Sequence, residues 1–155
     1  MLKVGQAAPE FRLKDQDNKE RSLGGYKGKW LVVYFYPKDD TPGCTKEACG
    51  IRDNFEKLSE MAAVVGISRD SVKSHRKFVD KYKLPFGLLS DPEAKVIKAY
   101  GAWGQKKFMG REFEGILRIT YLVDPQGKIA KVYPDVKPEG HAEELTADLK
   151  KLNLA

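Results

Sequence analysis

Trp30-Leu31-Val32-Val33-Tyr34-Phe35-Tyr36-Pro37 is the run of residues from which the fold of this chain is best predicted. Its first seven residues are apolar or aromatic with no polar alternation, which is typical of a strand buried on both faces of a mostly parallel sheet. Pro37 ends this strand. Thr41 and Pro42 then match the N-cap and the first position of a helix. The sequence therefore predicts a central strand followed by a helix from about residue 41 to about residue 58.

Further segments on both sides extend this unit into an α/β pattern. A turn-rich stretch at residues 15–19 lies between two short segments and predicts an N-terminal hairpin. The remaining predicted elements are a strand over 63–68, a helix capped by Ser71, a helix from Asp91 to Tyr100, strands over 116–123 and 128–133, and a helix over about 139–152. This order predicts one domain over residues 1–155, with the fold of a thioredoxin-like sandwich: a central mixed sheet, flanking helices and an N-terminal hairpin.

Composition and charge argue against several classes of protein. A chain of 155 residues buries roughly 70% of its extended surface, so it needs no disulfide staples. Apolar runs of about 18 residues are absent, and residues 1–6 lack the apolar core of a signal peptide, so no membrane span and a cytoplasmic location are expected. Residues 1–40, 41–82 and 83–155 carry 8, 8 and 12 basic and 6, 6 and 10 acidic residues. The net charge of +6 is therefore spread evenly, which argues against nucleic-acid binding.

The two cysteines, Cys44 and Cys49, follow directly after the central strand. Without an export signal, such a pair is more often reactive or metal-binding than structural. Cys44 falls in the first turn of the predicted helix, at the end of the strand where open α/β sheets place ligand chemistry.

A reactive thiol must ionise, because only the thiolate attacks. Lowering a thiol pKa by two units takes about 2.7 kcal/mol, and a helix N-terminus supplies only roughly 0.3–1 kcal/mol, or up to about 2 when partly buried. A fixed cation is therefore expected close to Cys44. Arg118, at the start of a predicted strand, is the best candidate, although an edge arginine in solvent is an alternative interpretation.

The spacing of the cysteines predicts a change of conformation if they react with each other. On an intact helix their Cα atoms are about 8.7 Å apart, whereas a disulfide requires about 4.4–6.8 Å. A Cys44–Cys49 bridge would therefore require the first helical turns to unwind. A small buried hydrophobic residue is the alternative interpretation of Cys49, and Thr41 could likewise be a helix cap with no other role.

The motif Pro37-x-x-x-Thr41-x-x-Cys44 resembles the active-site pattern of peroxiredoxins. Glu47, and Cys49 five residues after the first cysteine, are similar to the subgroup called peroxiredoxin Q or bacterioferritin-comigratory protein. Further segments that resemble this subgroup are residues 4–11, 100–104, 108–111 and 115–124. The resemblance covers nearly the whole chain.

This resemblance implies a thiol-dependent peroxidase for hydrogen peroxide and organic hydroperoxides, with no cofactor and no metal. Cys44 would be the peroxidatic residue and Cys49 the resolving residue, joined in an intramolecular disulfide that a thioredoxin-type dithiol reduces. The residues expected to bind the peroxide are Pro37, Thr41, Gly43, Cys44 and Arg118, and Pro37, Thr41 and Arg118 are also expected to take part in catalysis. The subgroup also implies a monomer or a weak dimer.

Three other functions compete with this interpretation. A thiol–disulfide oxidoreductase would normally carry Cys-x-x-Cys, whereas four residues separate the cysteines here. A non-catalytic thioredoxin-like binding module would leave Cys44 with ordinary reactivity. A zinc site could use Cys44, Cys49, His75 and His141, but their spacing is not that of the common ligand pairs. Asp39 and Asp40 are expected to be solvated turn residues.

Overall fold

The computed structural model describes residues 1–153. Its strands are β1 (Arg12–Lys14), β2 (Glu20–Ser22), β3 (Trp30–Phe35), β4 (Ala62–Ser68), β5 (Gly87–Ser90), β6 (Trp103–Phe108), β7 (Arg111–Ile116), β8 (Thr120–Val123) and β9 (Ile129–Tyr133). Its α-helices are α1 (Pro42–Asp53), α2 (Phe55–Met61), α3 (Val72–Tyr82), α4 (Lys95–Ala99) and α5 (His141–Asn153). A short 3-10 helix spans Leu23–Tyr26.

Seven of these strands form one mixed sheet in the order β2-β1-β5-β4-β3-β8-β9. Strands β3, β4 and β5 run parallel, whereas β8 is antiparallel to β3 and β9 is antiparallel to β8. β1 and β2 form the predicted N-terminal hairpin at one edge. The predicted α/β architecture with a central mixed sheet is confirmed, and β3 lies between two hydrogen-bonded neighbours.

Strand β3 supplies side chains to a hydrophobic core on each face of the sheet. Val32 and Tyr34 pack in the core beneath α1, α2, α3 and α5, while Val33 and Phe35 pack in the core that also holds Ile97 of α4. Each of these four β3 residues is at most 1% exposed. Burying one such side chain stabilises the fold by about 1.5–3 kcal/mol. This two-sided burial explains why the strand shows no polar alternation.

The predicted helix over about 41–58 is broken into α1 and α2 at Asn54. The Asn54 side-chain amide donates to the Gly50 carbonyl oxygen at 2.8 Å, and its backbone lies outside the helical region with ψ of 7°. Asparagine side chains compete in this way with the hydrogen bonds of the helix. The helix that carries both cysteines therefore ends at Asp53.

The predicted start of one further helix is wrong. The helix predicted from Asp91 begins only at Lys95, because Ala94 has left-handed backbone geometry with φ of 58°. Asp91 still accepts a hydrogen bond from the Ile97 amide at 2.8 Å. The Ser71 cap is confirmed, since its hydroxyl oxygen accepts from the Ser74 amide at 3.1 Å.

The single strand predicted over 116–123 is two strands, β7 and β8, with residues 117–119 between them. β7 pairs with β6 in a separate two-stranded hairpin, which the sequence did not predict, and β5 was not predicted either. In the described part of the chain, none of the helices is long and apolar enough to cross a membrane.

Candidate active site

Cys44 lies in the first turn of α1, after the loop that leaves β3. Pro42 opens the helix, where its fixed φ angle suits the first position. The Thr45 amide makes an early helical bond to the Thr41 carbonyl oxygen at 2.8 Å. The predicted place of Cys44 at the end of the central strand is confirmed, and the residue is only 2% exposed.

Thr41 occupies the N-cap position, but its side chain does not cap the helix. Its hydroxyl donates to the Lys38 carbonyl oxygen at 2.8 Å, so it folds back onto the preceding loop. The prediction of a capping side chain is therefore wrong. Because the hydroxyl has only one hydrogen, toward any other group it can only accept a hydrogen bond.

Arg118 is the cation that approaches the thiol. Its Nη2 donates to Cys44 Sγ at 3.5 Å, and its Nη1 donates to Glu47 Oε1 at 2.8 Å. Burial lowers the pKa of Arg118, but the negative charges of Cys44 and Glu47 outweigh that effect and raise it. Arg118 lies in the segment between β7 and β8 rather than in a strand, and the alternative of an edge arginine in solvent is wrong.

Gly43 leaves the space that this guanidinium occupies. A Cβ atom at Gly43 would lie 3.2 Å from Arg118 Nη2 and 3.8 Å from the Pro138 Cγ atom. The first of these distances is tighter than most contacts of real Cβ atoms, so a side chain would push Arg118 away. The absence of a side chain at Gly43 therefore lets Arg118 lie against the first turn of α1.

Glu47 belongs to the site, a role that was not predicted from the sequence. Its side chain is fully buried one turn after Cys44, and it holds the second nitrogen of Arg118. Burial raises the pKa of Glu47 to about 7, against the lowering effect of Arg118. The i, i+3 spacing from Cys44 was the available signal, because residues so spaced share one face of a helix.

The loop between β3 and α1 is anchored by a buried carboxylate. Asp39 accepts hydrogen bonds from the Tyr36 hydroxyl at 2.6 Å and the Ser74 hydroxyl at 2.7 Å, and it faces His75 Nδ1 at 2.7 Å. The expectation that Asp39 is solvated is therefore wrong. Pro37 is half-buried where the loop leaves the strand.

The zinc alternative is not assembled in this structure. His75 faces Asp39, while His141 faces Thr120 Oγ1 at 2.9 Å and Glu144 Oε1 at 3.0 Å. Within residues 1–153, the one group of potential ligands close enough to share an ion is Asp39, Asp70 and His75, and it contains neither cysteine.

Cys49 lies on the same helix as Cys44 but in a different environment. It is half-buried in a cleft between α1 and the start of α5 that is lined by Lys46, Gly50, Pro138, Ala142 and Glu143, among others. Burial raises the pKa of Cys49, and Arg52 offsets this in part. Both cysteines are free thiols on an unbroken helix, so their separation follows the predicted helical spacing.

Comparison with known proteins identifies the family. Residues 4–132 match the model of the AhpC/TSA family. The chain belongs to this family of peroxiredoxins. The match includes Cys44 and the two residues of its hydrogen-bond network, Glu47 and Arg118.

This peroxiredoxin is similar to proteins of the predicted subgroup. Peroxiredoxin Bcp of Bacillus subtilis is 44% identical over 153 residues, covering 98% of each chain, and that of Escherichia coli K12 is 45% identical over 141 residues, covering 90% of each. A structure of Xanthomonas campestris bacterioferritin comigratory protein, studied for its alkyl peroxide reduction activity, is 35% identical with a TM-score of 0.89 and 98% coverage of both chains.

These likenesses confirm the thioredoxin-like fold and the subgroup. The protein is a thiol-dependent peroxidase, and its family implies a hydroperoxide substrate and a thioredoxin-type reductant. The binding module and the thiol–disulfide oxidoreductase that competed with this interpretation are thereby set aside.

Proposed function

We propose that Cys44 is the peroxidatic residue of this peroxiredoxin and that Cys49 resolves it through an intramolecular disulfide. One observation carries the proposal: the Arg118 guanidinium donates to Cys44 Sγ from one nitrogen while Glu47 holds the other. A charge-assisted hydrogen bond favours the anion by roughly 1.5–3 kcal/mol. Together with the helix N-terminus, it supplies the stabilisation that a reactive thiolate needs.

In the first step, the Cys44 thiolate attacks one oxygen of the hydroperoxide and the O–O bond breaks. The sulfur is oxidised to a sulfenic acid, and the other oxygen leaves as an alkoxide or hydroxide that takes up a proton. Arg118 stabilises the negative charge that moves from sulfur to this departing oxygen. Fixed donors in a partly buried site are effective here because they need no reorganisation during the reaction.

The start of α1 offers further groups that orient the peroxide. The amides of Gly43 and Cys44 belong to the first turn, so they have no partner within the helix and can donate to a peroxide oxygen. The Thr41 hydroxyl, whose hydrogen is used by Lys38, accepts from the peroxide O–H. Pro37 shapes the wall of the pocket on the side where β3 ends.

In the second step, the Cys49 thiol attacks the sulfenic sulfur, an S–S bond forms and water leaves. α1 must unwind for this step, because the intact helix keeps the two Cα atoms about 8.7 Å apart. A thioredoxin-type dithiol then reduces the bridge by thiol–disulfide exchange and is itself oxidised. The raised pKa of Cys49 suits a thiol that stays protonated until the helix opens.

The cellular compartment and the oligomeric state are also part of the proposal. Free thiols and a dithiol reductant fit a reducing compartment such as the cytoplasm. The protein works as a monomer or weak dimer, since both cysteines of the proposed bridge belong to one helix of one chain.

Stopped-flow mixing of the reduced protein with hydrogen peroxide, followed by mass analysis, tests the proposal. The parent should lose the mass of two hydrogens and yield a peptide pair bridged between Cys44 and Cys49. Cys44→Ser should consume no peroxide, while Cys49→Ser should keep the first step and accumulate sulfenic and sulfinic acids. Turnover in Cys44→Ser, or a first step as slow in Cys49→Ser as in Cys44→Ser, would refute the assignment.

A further inference from the structure

Lys106 on β6 is a half-buried lysine with an unusual hydrogen bond. Its ammonium group donates to the Ile116 carbonyl oxygen at 2.8 Å. The Leu117 amide of the same peptide unit donates to the Ala102 carbonyl oxygen, on the β6 side, at 2.8 Å. In a trans peptide the carbonyl points the opposite way, so the Ile116 oxygen projects off the edge of β7.

This edge has no strand partner, because β6 and β7 form a two-stranded sheet within the described residues. A buried carbonyl left without a hydrogen bond is costly. Lys106 supplies this hydrogen bond, because its side chain crosses the hairpin to the outer edge of β7. Its ammonium group therefore lies at Ile116, the last residue of β7, directly before Leu117 and Arg118.

Two glycines keep this face of the hairpin flat enough for the lysine. Gly104 and Gly115 are paired in register on the face that carries Lys106. A Cβ atom at Gly115 would lie 3.3 Å from Lys106 Cδ, and one at Gly104 would lie 3.1 Å from Leu117 Cδ1. The hairpin is thus shaped to pack both the lysine stem and the residue before Arg118.

The charge of Lys106 is coupled to the site. Burial lowers the pKa of Lys106, the Arg118 guanidinium lowers it further, and Cys44 opposes this by raising it. The neighbouring Lys107 is exposed and points to the opposite face of the strand. Of these two consecutive lysines, only the first contacts the peptide that leads to Arg118.

We propose that Lys106 is a positioning residue of the peroxidase site. By holding the end of β7 it fixes the segment from which Arg118 reaches Cys44 and Glu47, and its ammonium adds a second positive charge on that side of the site. The remaining ties of this segment are the bond from the Val136 amide to the Arg118 carbonyl oxygen, 3.0 Å, and that from the Phe35 amide to the Ile119 carbonyl oxygen, 2.9 Å. The inference rests on the proposed roles of Cys44 and Arg118.

The test compares variants of the two consecutive lysines. The second-order rate constant of Cys44 oxidation by hydrogen peroxide is measured by stopped flow across a range of pH. Lys106→Met should be slower by about threefold to tenfold at neutral pH. The gap should narrow at alkaline pH, where Lys106 of the parent loses its own charge, since burial lowers the pKa of Lys106. Lys106→Arg should restore most of the rate, and the matched control Lys107→Met should overlap the parent.

Lys106→Gln separates the effect of the hydrogen bond from the effect of the charge. It also replaces Lys106→Met in the comparison if circular dichroism shows that Lys106→Met is unfolded. It keeps a donor for the Ile116 carbonyl and should be slower than the Arg variant. A pH profile of Lys106→Met or Lys106→Gln that overlaps the parent would overturn the inference. A loss of rate that is equal at every pH and that Lys106→Arg does not restore would also overturn it. Failure of the underlying function would look different, since the parent itself would show no oxidation of Cys44.

Discussion

At the scale of single residues, the proposed chemistry depends on how one guanidinium is shared. Arg118 contacts the Cys44 sulfur and the Glu47 carboxylate at the same time, and Glu47 is fully buried. The residue that supplies the thiol and the arginine that supports it could both be predicted from the sequence. The burial of Glu47 was harder to predict, because a glutamate on a helix is ordinarily solvated and only its i, i+3 spacing from Cys44 placed it on the same face.

Glu47→Gln should change how stability depends on pH. The pKa of Glu47 is about 7 in the folded protein against an ordinary 4.5, so the folded state holds this proton more tightly than the unfolded state. Between those pH values the unfolded chain loses the proton first, and the parent should lose about 3 kcal/mol of stability as pH rises. Glutamine has no such proton and should not share this loss.

Urea unfolding of both proteins at several pH values measures this effect. The difference in free energy of unfolding between Glu47→Gln and the parent should grow in favour of the variant from pH 4.5 to about pH 7 and then stay constant. Taking the difference cancels the other titrating groups. A difference that does not vary with pH would contradict the raised pKa.

Gly43→Ala should slow the first peroxide step by about tenfold, because the new Cβ displaces Arg118 Nη2 from the first turn of α1. Gly50→Ala is the matched control on the same helix, since a Cβ there meets nothing within 4 Å. Stopped-flow rates of both variants provide the measurement. If both alanine variants react as fast as the parent, the contact between Gly43 and Arg118 is unimportant.

At the scale of elements, α1 is a helix with its own boundaries. Asn54 separates it from α2, and its buried residues include both Cys44 and Glu47. Strong apolar runs made β3, β4 and β8 predictable, whereas β6 and β7 are polar and exposed and carry little periodic signal. The segment 117–119 looked like a strand because Leu117 and Ile119 continue the apolar run that leads into β8.

Formation of the disulfide should loosen α1, and this loosening should not extend beyond the end of α1. We expect faster hydrogen exchange over residues 42–53 in the disulfide form than in the dithiol form, because bridging requires the helix to unwind. The internal controls are α2, beyond Asn54, and α3, which should exchange equally in both forms. Unchanged exchange across α1 would rule out unwinding.

At the scale of the whole molecule, the site forms where two distant parts of the chain meet. The helix after β3 contributes the thiol, and the segment before β8 contributes the arginine, because β3 and β8 are neighbours in the sheet. Adjacency of these strands could be expected from the fold, but the direction of the Arg118 side chain could not, because it is set by contacts with Glu47 and Cys44, which are distant in sequence. That residues 1–155 form one domain stays a prediction.

The surface predicts a monomer or a weak dimer. Among the described residues, the exposed large hydrophobic side chains are Met1, Val4, Phe108, Met109 and Phe113, and three of these belong to the β6–β7 hairpin. Stable dimers bury about 1,600 Å² in total, whereas the exposed large hydrophobic residues of the hairpin are three side chains. Sedimentation velocity at micromolar concentration should show mainly monomer. A dimer that persists on dilution to nanomolar concentration would contradict this expectation.

The rate of the first peroxide step in Arg118→Met is the decisive measurement of whether Arg118 activates Cys44. The reduced variant and parent are mixed with hydrogen peroxide in a stopped-flow instrument, and oxidation of Cys44 is followed at neutral pH. Losing the guanidinium that contacts the sulfur should lower the second-order rate constant by about 100-fold or more, as for the loss of other transition-state donors. A rate constant equal to that of the parent would show that Arg118 does not activate Cys44.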